Sequence, residues 1–544
     1  MARRRRKWLI FLLVGTLGLA DGAQEVNLAQ SPQITVDWDA AVGPGPDEYG
    51  TNVWWTDQDA DLWQSRYAES ASTMFRVPIS HAMLEPSNDN DNPNTINWAG
   101  FQFETPLAVP DSERTVTYRA CFEALRDSGA TILLHPSYLA PWLSDNAPHT
   151  EDYAPYPPND LNEYREFVLA VLRYLVETVN FPPQRIVLEV MNEPDLRCGA
   201  DPVTPCFWDW PSGGPLDHMD DIADVVRVSG EAAQAVDPAI RLAGVAECCG
   251  TDVVETLLAD YPEVAGYLDG LTYHYYSPTG YDLNTALSRG AALTPYGLPV
   301  YLDEYGSREY LSEGVNGGLW HSWALPVLWE AGINPLQYPF SEWPTLGEPY
   351  NSMGLFHDWR EDWAIKPAYW VYANFYTHLG GTTIVSSTAP AELDLMAGKK
   401  VGSGGEDQLA IWVTNKTDAA YSEVEFVVTD FPETEATLKI YNNLEGTGNV
   451  EEWSVTGAPL GFVYDVPAQS SLCFVLSGPP LSTPTPTATG TPTSTPTPTS
   501  TPTSTLTPTP TSIPGAEIPL PSLTPAVYLP LILKDYQDPG VAEP

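Results

Sequence analysis

Between about Gly50 and Gly380 the chain alternates two hydrophobic rhythms. Short, nearly continuous apolar runs rich in β-branched and aromatic residues recur eight times: GTNVWW, STMFRVP, ATILLHP, RIVLEVMNE, IRLAGVAE, GLTYHYY, PVYLDEYG and INPLQYPF. Runs of this kind are strands buried on both faces, as in a parallel sheet. Between them lie segments with apolar residues three or four apart, such as LNEYREFVLAVLRYLVETV and DIADVVRVSGEAAQAV; the last run is followed by KPAYWVYANFYTHLG. That spacing lays one apolar stripe along a helix. Eight strand–helix alternations predict an α/β fold, a (β/α)8 TIM barrel with insertions. The sixth helix, around Asp282 to Arg289, has the weakest pattern. A doubly wound open sheet is the alternative, but no Gly-rich phosphate turn follows any of the runs.

After Gly380 the helical rhythm stops. TTIVSS, DLMAG, LAIWVTNK, EVEFVVTDF, ATLKIYNN and SLCFVLSG read as alternating short strands separated by turn residues, a small antiparallel β-sandwich. The early strand PQITVDW either joins that sandwich or caps the barrel. From Ser482 to Pro514 runs a Thr/Pro tract without periodicity, an extended spacer. Beyond it VYLPLILK, Val527 to Lys534, is a short apolar patch broken by Pro530, too short to span a bilayer. The expected organisation is a signal peptide over 1–23, a barrel domain over 31–380 and a sandwich over 381–480. A linker over 481–514 and a tail over 515–544 follow.

The first residues read as an address. Arg3 to Lys7 form a positive region and Trp8 to Ala20 an apolar stretch of signal-peptide length, with cleavage after Ala20 or Gly22 and a twin-arginine route open. The expected location is therefore secreted or cell-surface associated, without a transmembrane helix in the mature protein. With 25 basic against 71 acidic residues the formal net charge is −46, which makes nucleic acid and anionic membranes poor partners and a neutral substrate the best fit. Of the six cysteines, Cys198 and Cys206 bracket a short loop they could staple. Cys248 and Cys249 are adjacent and could form a cross-loop bridge, while Cys121 and Cys473 read as buried free thiols. No Cys/His spacing resembles a metal site, and no cofactor is expected. The loop SNDNDNPN, Ser87 to Asn94, lacks a calcium spacing and reads as a solvated turn.

Barrel enzymes place their chemistry where strands end. The fourth run delivers Asn192 and Glu193 to such an end, and the seventh delivers Glu304. Strands four and seven lie across a barrel mouth, so two carboxyls can converge on one bond, the requirement for glycoside hydrolysis. Strand alternation sets Val300, Leu302 and Glu304 on one face and Asp303 on the other, and places Glu189 inside the barrel as an ion-pair partner.

VLEVMNEPD together with YLDEYGS resembles the clan A retaining glycoside hydrolases, (β/α)8 enzymes with an Asn-Glu pair at strand four and a nucleophilic Glu at strand seven. The resemblance covers about residues 33–380 and a C-terminal sandwich. It extends to Arg76 in FRVP, His135 in LLHP, His274 and Tyr276 in YHYYSP and Trp343 in FSEW, which match pocket residues of family 5. ITVDW…GTN and GLFHDW…KPAYW look more like family 39. The resemblance implies Glu193 as proton donor and Glu304 as nucleophile. It also implies Asn192 on the sugar 2-hydroxyl, and Arg76 and Tyr276 orienting Glu304. His135 and His274 would meet sugar hydroxyls or Tyr276, and Trp343 would lie under the reacting ring. Trp54, Trp55, Tyr138, Trp142, Phe207, Trp208 and Trp210 are candidate stacking surfaces. The implied partner is a β-linked carbohydrate, with cell-surface association through the tail. The other class of function is a non-catalytic carbohydrate-binding surface protein on the same scaffold.

Overall fold

The computed structural model describes residues 32–479 except 55–59, 91, 109–114, 145–155, 197–207, 209, 211, 311, 313, 343–349, 358–362 and 402–405. The signal peptide, the Cys198–Cys206 loop, Trp55, Phe207, Trp343, the Thr/Pro linker and the tail lie outside the described residues. No helix among the described residues is long and apolar enough to cross a membrane.

Each of the eight predicted runs contains a strand: β2 (Gly50–Asn52), β3 (Met74–Ser80), β4 (Thr131–Ser137), β5 (Ile186–Glu189), β6 (Arg241–Ala243), β7 (Leu271–Ser277), β8 (Val300–Ser307) and β9 (Asn334–Gln337). They pair in parallel in sequence order, and β9 returns to β2. Parallel bridges Ala243↔Gly270 and Glu247↔Tyr273 join β6 to β7 and close the barrel. A helix follows each strand: α1 (Ala60–Glu69), α2 (Tyr118–Ser128), α3 (Leu161–Arg173), α4 (Met219–Val236), α5 (Val253–Asp260), α6 (Asn284–Leu293), α7 (Gly314–Glu330) and α8 (Pro367–Leu379). Their starts are written locally. Asp160 accepts from the Asn162 and Glu163 N–H groups to begin α3, and Thr117 accepts from Ala120 to begin α2. Gly129, at φ 85°, ends α2 in the left-handed conformation that favours glycine. The weakly patterned sixth helix is present as α6.

The barrel interior is a packed layer. Met74, Leu133, Val187, Ala243, Tyr301 and Leu336 come from six different strands and form their own apolar cluster. Val300 and Leu302 instead belong to the larger cluster between strands and helices. In β8 the inward residue is therefore Tyr301. This corrects the strand alternation read from sequence, and its consequence appears at the mouth.

The predicted sandwich strands appear as β10 (Thr383–Thr388), β11 (Leu393–Val401), β12 (Asp407–Asn415), β13 (Tyr421–Thr429), β14 (Glu435–Asn442) and β17 (Ser470–Ser477). Two more went unread in the sequence: β15 (Asn449–Thr456), which buries only Val455, and β16 (Leu460–Val466), which buries Leu460, Phe462 and Val466. PQITVDW joins this sheet as β1 (Gln33–Pro44), antiparallel to β10 and parallel to β13. The described residues thus begin in the second layer and enter the barrel at Gly50. The sheet curls until its edge strands meet: Tyr464 donates to Glu451 at 3.0 Å and stacks on Trp453. The fold encloses Val36, Val413, Phe426, Phe462 and Phe474.

Helix α7 locks the two layers together. It is apolar nearly all round because one side faces the barrel and the other the sheet. The Ser322 hydroxyl meets those of Thr414 and Ser471, each at 2.6 Å, and the Trp412 indole donates to the Ser322 carbonyl at 3.0 Å. The Ser87–Asn94 loop is laced by its own side chains, with Asn90 donating to Asp89 and Asn92 to Thr95. Cys121 and Cys473 are buried, and like Cys248 and Cys249 they form no disulfide.

Candidate active site

Two residues beyond the packed interior layer, the same inward faces carry ionisable side chains. Arg76 follows Met74, His135 follows Leu133, Glu189 follows Val187 and Asp303 follows Tyr301, and all four are buried. Arg76 is the hub. Its Nε lies 2.7 Å from Glu189 and 3.0 Å from Asp303, and its Nη1 donates to Asn52 at 3.0 Å and to Glu304 at 2.5 Å. Nη2 donates to Glu189 at 3.2 Å and to the Asn192 side-chain oxygen. The planar guanidinium spreads its donors in a fixed fork, which lets one side chain hold this many partners.

Asp303 is therefore not an outward bystander. The sequence reading set it opposite Glu304; the structure turns both into the barrel. The cause is a register shift: Leu302 pairs with Tyr273 and Glu304 with His274, so Asp303 is the extra residue of a bulge. Bulges re-aim side chains beside active sites. Glu193 leaves β5 with a positive φ of 50° and anchors its N–H on the Ala246 carbonyl at 2.7 Å. Glu189 is the ion-pair partner the alternation implied.

At the mouth, carboxylate oxygens of Glu193 and Glu304 and a ring nitrogen of His274 lie within 4.8 Å of one another. The Tyr276 hydroxyl donates to Glu304 Oε2 at 2.6 Å, opposite the Arg76 contact on Oε1. His274 does not reach for Tyr276: its Nδ1 contacts Glu193 at 2.8 Å and Glu304 at 3.5 Å, and its Nε2 lies 3.7 Å from Asp303. Asn192 spends its oxygen on Arg76, and its buried amide nitrogen has no acceptor among the described residues. His135 Nδ1 bonds the Ser137 hydroxyl at 2.8 Å.

The electrostatics separate the groups. Burial pushes the Glu193 carboxyl above its usual range, with the His274 contact opposing and the nearby Glu304 adding to the rise. Burial alone would lower His274, but Glu304, Asp303 and Glu193 hold it well above the ordinary imidazole value, as a cation. Burial and the Arg76 charge keep His135 neutral. Burial would raise Asp303, yet Arg76 and His274 hold it below the usual carboxylate range, while burial and Asp303 push Glu189 up against the pull of Arg76. Tyr276 stays a neutral donor, raised by burial and by Glu304.

These groups open into a cavity of about 440 Å³ lined by Trp54, Arg76, His135, Glu193, Tyr276 and Glu304 among others, within the ~300–1,000 Å³ range of small-ligand clefts. Sequence reasoning missed Tyr338, which lines the same space with its ring 6.0 Å from and edge-on to Tyr276. The two-residue step from Leu336 would have found it. It also missed Asn52, whose amide donates to the Asp303 carbonyl at 2.6 Å and fixes the bulge. Trp208 and Trp210 are not stacking surfaces: both are buried in the core, Trp210 donating to the Pro194 carbonyl at 2.8 Å. Trp142 is tied to the Glu85 carbonyl at 3.1 Å.

No family model matches the chain, and no curated protein does. Solved structures share its fold. A GH30 endoxylanase from Clostridium papyrosolvens C71 is 16% identical, with a TM-score of 0.55 over 82% of this chain and 100% of its own. A glucosidase from Croceicoccus marinus is 14% identical, with a TM-score of 0.60 over 82% of this chain and 99% of its own. A GH39 β-xylosidase from Caulobacter crescentus is 15% identical, with a TM-score of 0.56 over 81% of this chain and 99% of its own. At these identities the likeness is one of fold: the barrel and the attached β-domain align together.

One expectation follows from the His274 contacts. Because His274 holds Glu193 down against burial, His274→Asn should move the alkaline limb of kcat/KM to higher pH. A pH–rate profile in which that limb stays in place would show that Glu193 does not set it.

Proposed function

We propose that the chain is an exported retaining glycoside hydrolase that cleaves β-glycosidic bonds of a polysaccharide or oligosaccharide by double displacement. The observation that carries this reading is the unlike treatment of two facing carboxyls. Oxygens of Glu193 and Glu304 lie within 4.8 Å, a spacing on the side of the ~5–5.5 Å of retaining pairs rather than the ~6.5–9.5 Å of inverting ones. Burial pushes the Glu193 carboxyl upward, toward the proton-donor form, while Arg76 and Tyr276 grip both oxygens of Glu304.

In the first step Glu304 attacks the anomeric carbon as Glu193 gives its proton to the departing oxygen, leaving a glycosyl ester on Glu304. In the second, Glu193 takes a proton from water, which attacks the same carbon and releases Glu304. The free amide donor of Asn192 suits the sugar 2-hydroxyl, a bond that strengthens in the transition state. Neutral His135 serves a second hydroxyl, and Trp54 and Tyr338 offer ring faces to the sugar. Trp343 is assigned to the reacting ring on the resemblance alone. The fold-sharing enzymes named for xylan, xyloside and glucoside direct the first substrate screen to neutral pentose and hexose β-linkages.

Proton NMR of the first-formed product should show the β-anomer, that is, retained configuration; the α-anomer would overturn double displacement. The Thr/Pro linker fits a spacer that lets VYLPLILK engage a cell surface. Truncation after Gly478 should leave rates on soluble substrate and the unfolding temperature unchanged while releasing more enzyme from cells. A clear drop in unfolding temperature would mean that the tail packs on the folded layers.

A further inference from the structure

Cys248 and Cys249 lie just past β6, and both line the cavity that holds Glu193. Neither is bridged, and the proposed reaction uses neither thiol. Behind them Asp195 is 4% exposed. Its carboxylate accepts the Cys248 N–H at 2.8 Å, the Cys249 N–H at 2.8 Å and the Thr251 hydroxyl at 3.0 Å. Three bonds leave one of about four lone-pair sites free. A carboxylate oxygen of Asp195 and the two sulfurs lie within 4.8 Å of one another.

Ligand atoms around a tetrahedral zinc-like ion stand about 3.5–3.8 Å apart, given bond lengths of about 2.0–2.3 Å. The 4.8 Å that bounds the present set is about 1 Å wider than that spacing. Two soft sulfurs with one carboxylate oxygen favour a thiophilic ion over magnesium or calcium. The oxygen ligand is already oriented by its backbone bonds, which fixes the direction of its remaining lone pair. The cavity supplies the entry path and room for a water as fourth ligand. The formal charge of −46 draws cations toward the chain.

We propose that Cys248, Cys249 and Asp195 form a binding site for a thiophilic divalent cation of the zinc and cadmium class in the wall of the sugar cavity. A cation there, with its water, narrows the cavity on the wall it shares with Glu193 and so obstructs the sugar. The ion is therefore an inhibitor of the proposed reaction, and its binding is readable without any turnover.

The test is titration of the reduced full-length chain with cobalt(II) as a coloured stand-in for zinc. One cobalt per chain should bind with a thiolate-to-cobalt charge-transfer band in the near ultraviolet, and zinc should displace it. Cys248→Ser and Cys249→Ser should each lose the band and at least ~10-fold in affinity. Glu193→Gln should keep the band, because its own cluster with His274 and Glu304 contains no sulfur. A chain that binds no cobalt overturns the site. So does a band that survives in Cys248→Ser, or one that disappears in a Cys198→Ser/Cys206→Ser variant, which would assign it to that loop. Product stereochemistry is measured separately, so failure of the metal site leaves the glycosidase reading standing.

Discussion

Glu304→Ala should abolish turnover on every substrate, by roughly 10⁵-fold or more, because no nucleophile remains and the residual rate comes from binding alone. Glu193→Ala should fail differently. Only acid assistance is lost, a contribution of about 10²–10⁴-fold, and a substrate whose leaving group departs without a proton should recover most of the first step. The small cavity left by Glu193 also admits azide, which should trap a glycosyl azide of retained configuration. The structure strengthens this asymmetry. Glu304 is held at both oxygens, by Arg76 and Tyr276, so removing it also takes an acceptor from each of them. Glu193 is held by His274 on one oxygen only among the described contacts. Kinetics on aryl glycosides of graded leaving-group acidity, with both variants assayed side by side, read the two roles directly. Equal responses of the two variants to activated substrates would overturn the assignment.

The barrel was legible because its signal is physical and long-range. Strands buried on both faces must read as apolar runs, and the helices between them must keep one polar side, so eight alternations were countable from residues alone. The two glutamates were legible because strand ends are where a barrel displays chemistry. What failed was parity near the site. Counting by twos from Val300 put Val300 and Leu302 on the wall of Glu304 and Asp303 on the other; the bulge at Asp303 is what lets Asp303 and Glu304 both face inward while Val300 and Leu302 face the helices. A bulge adds a residue without changing composition, so it leaves little trace in the pattern. β15 went unread because a strand that buries one residue carries little periodicity, whereas β16 alternates and was within reach. Trp208 and Trp210 show the converse error, since an aromatic cluster in a predicted loop looks alike whether it packs inward or stacks on a sugar. Tyr338 and Asn52 were within reach, because both follow from extending the inward face of their strands to the mouth.

Arg76→Met should cost both stability and chemistry, and the two losses should be separable. Arg76 is 1% exposed and contacts Glu189, Asp303, Glu304, Asn192 and Asn52. Methionine fills much of the volume but leaves Asp303 buried beside Glu189 with only His274 to oppose its charge. Removing one partner of a buried ion pair costs about 3–5 kcal/mol, because the remaining charge is stranded. Arg76→Met should therefore unfold at a clearly lower temperature. Adding Glu189→Leu and Asp303→Asn should recover much of that loss by removing the stranded carboxyls, without restoring activity, since Glu304 still lacks its orienting donor. Arg76→Lys separates the terms in the other direction. A lysine keeps the charge but offers a single point of donation, so it can satisfy Glu189 and Asp303 or Glu304, not all three. It should retain most of the stability and lose about 10²-fold or more in kcat, the scale expected when an orienting contact is misplaced by about 1 Å. Thermal unfolding and single-turnover kinetics on the three variants measure the two effects independently. If Arg76→Met unfolds at the wild-type temperature, the buried charges beneath the mouth are not held by this guanidinium, and the hub assigned to Arg76 would have to be abandoned.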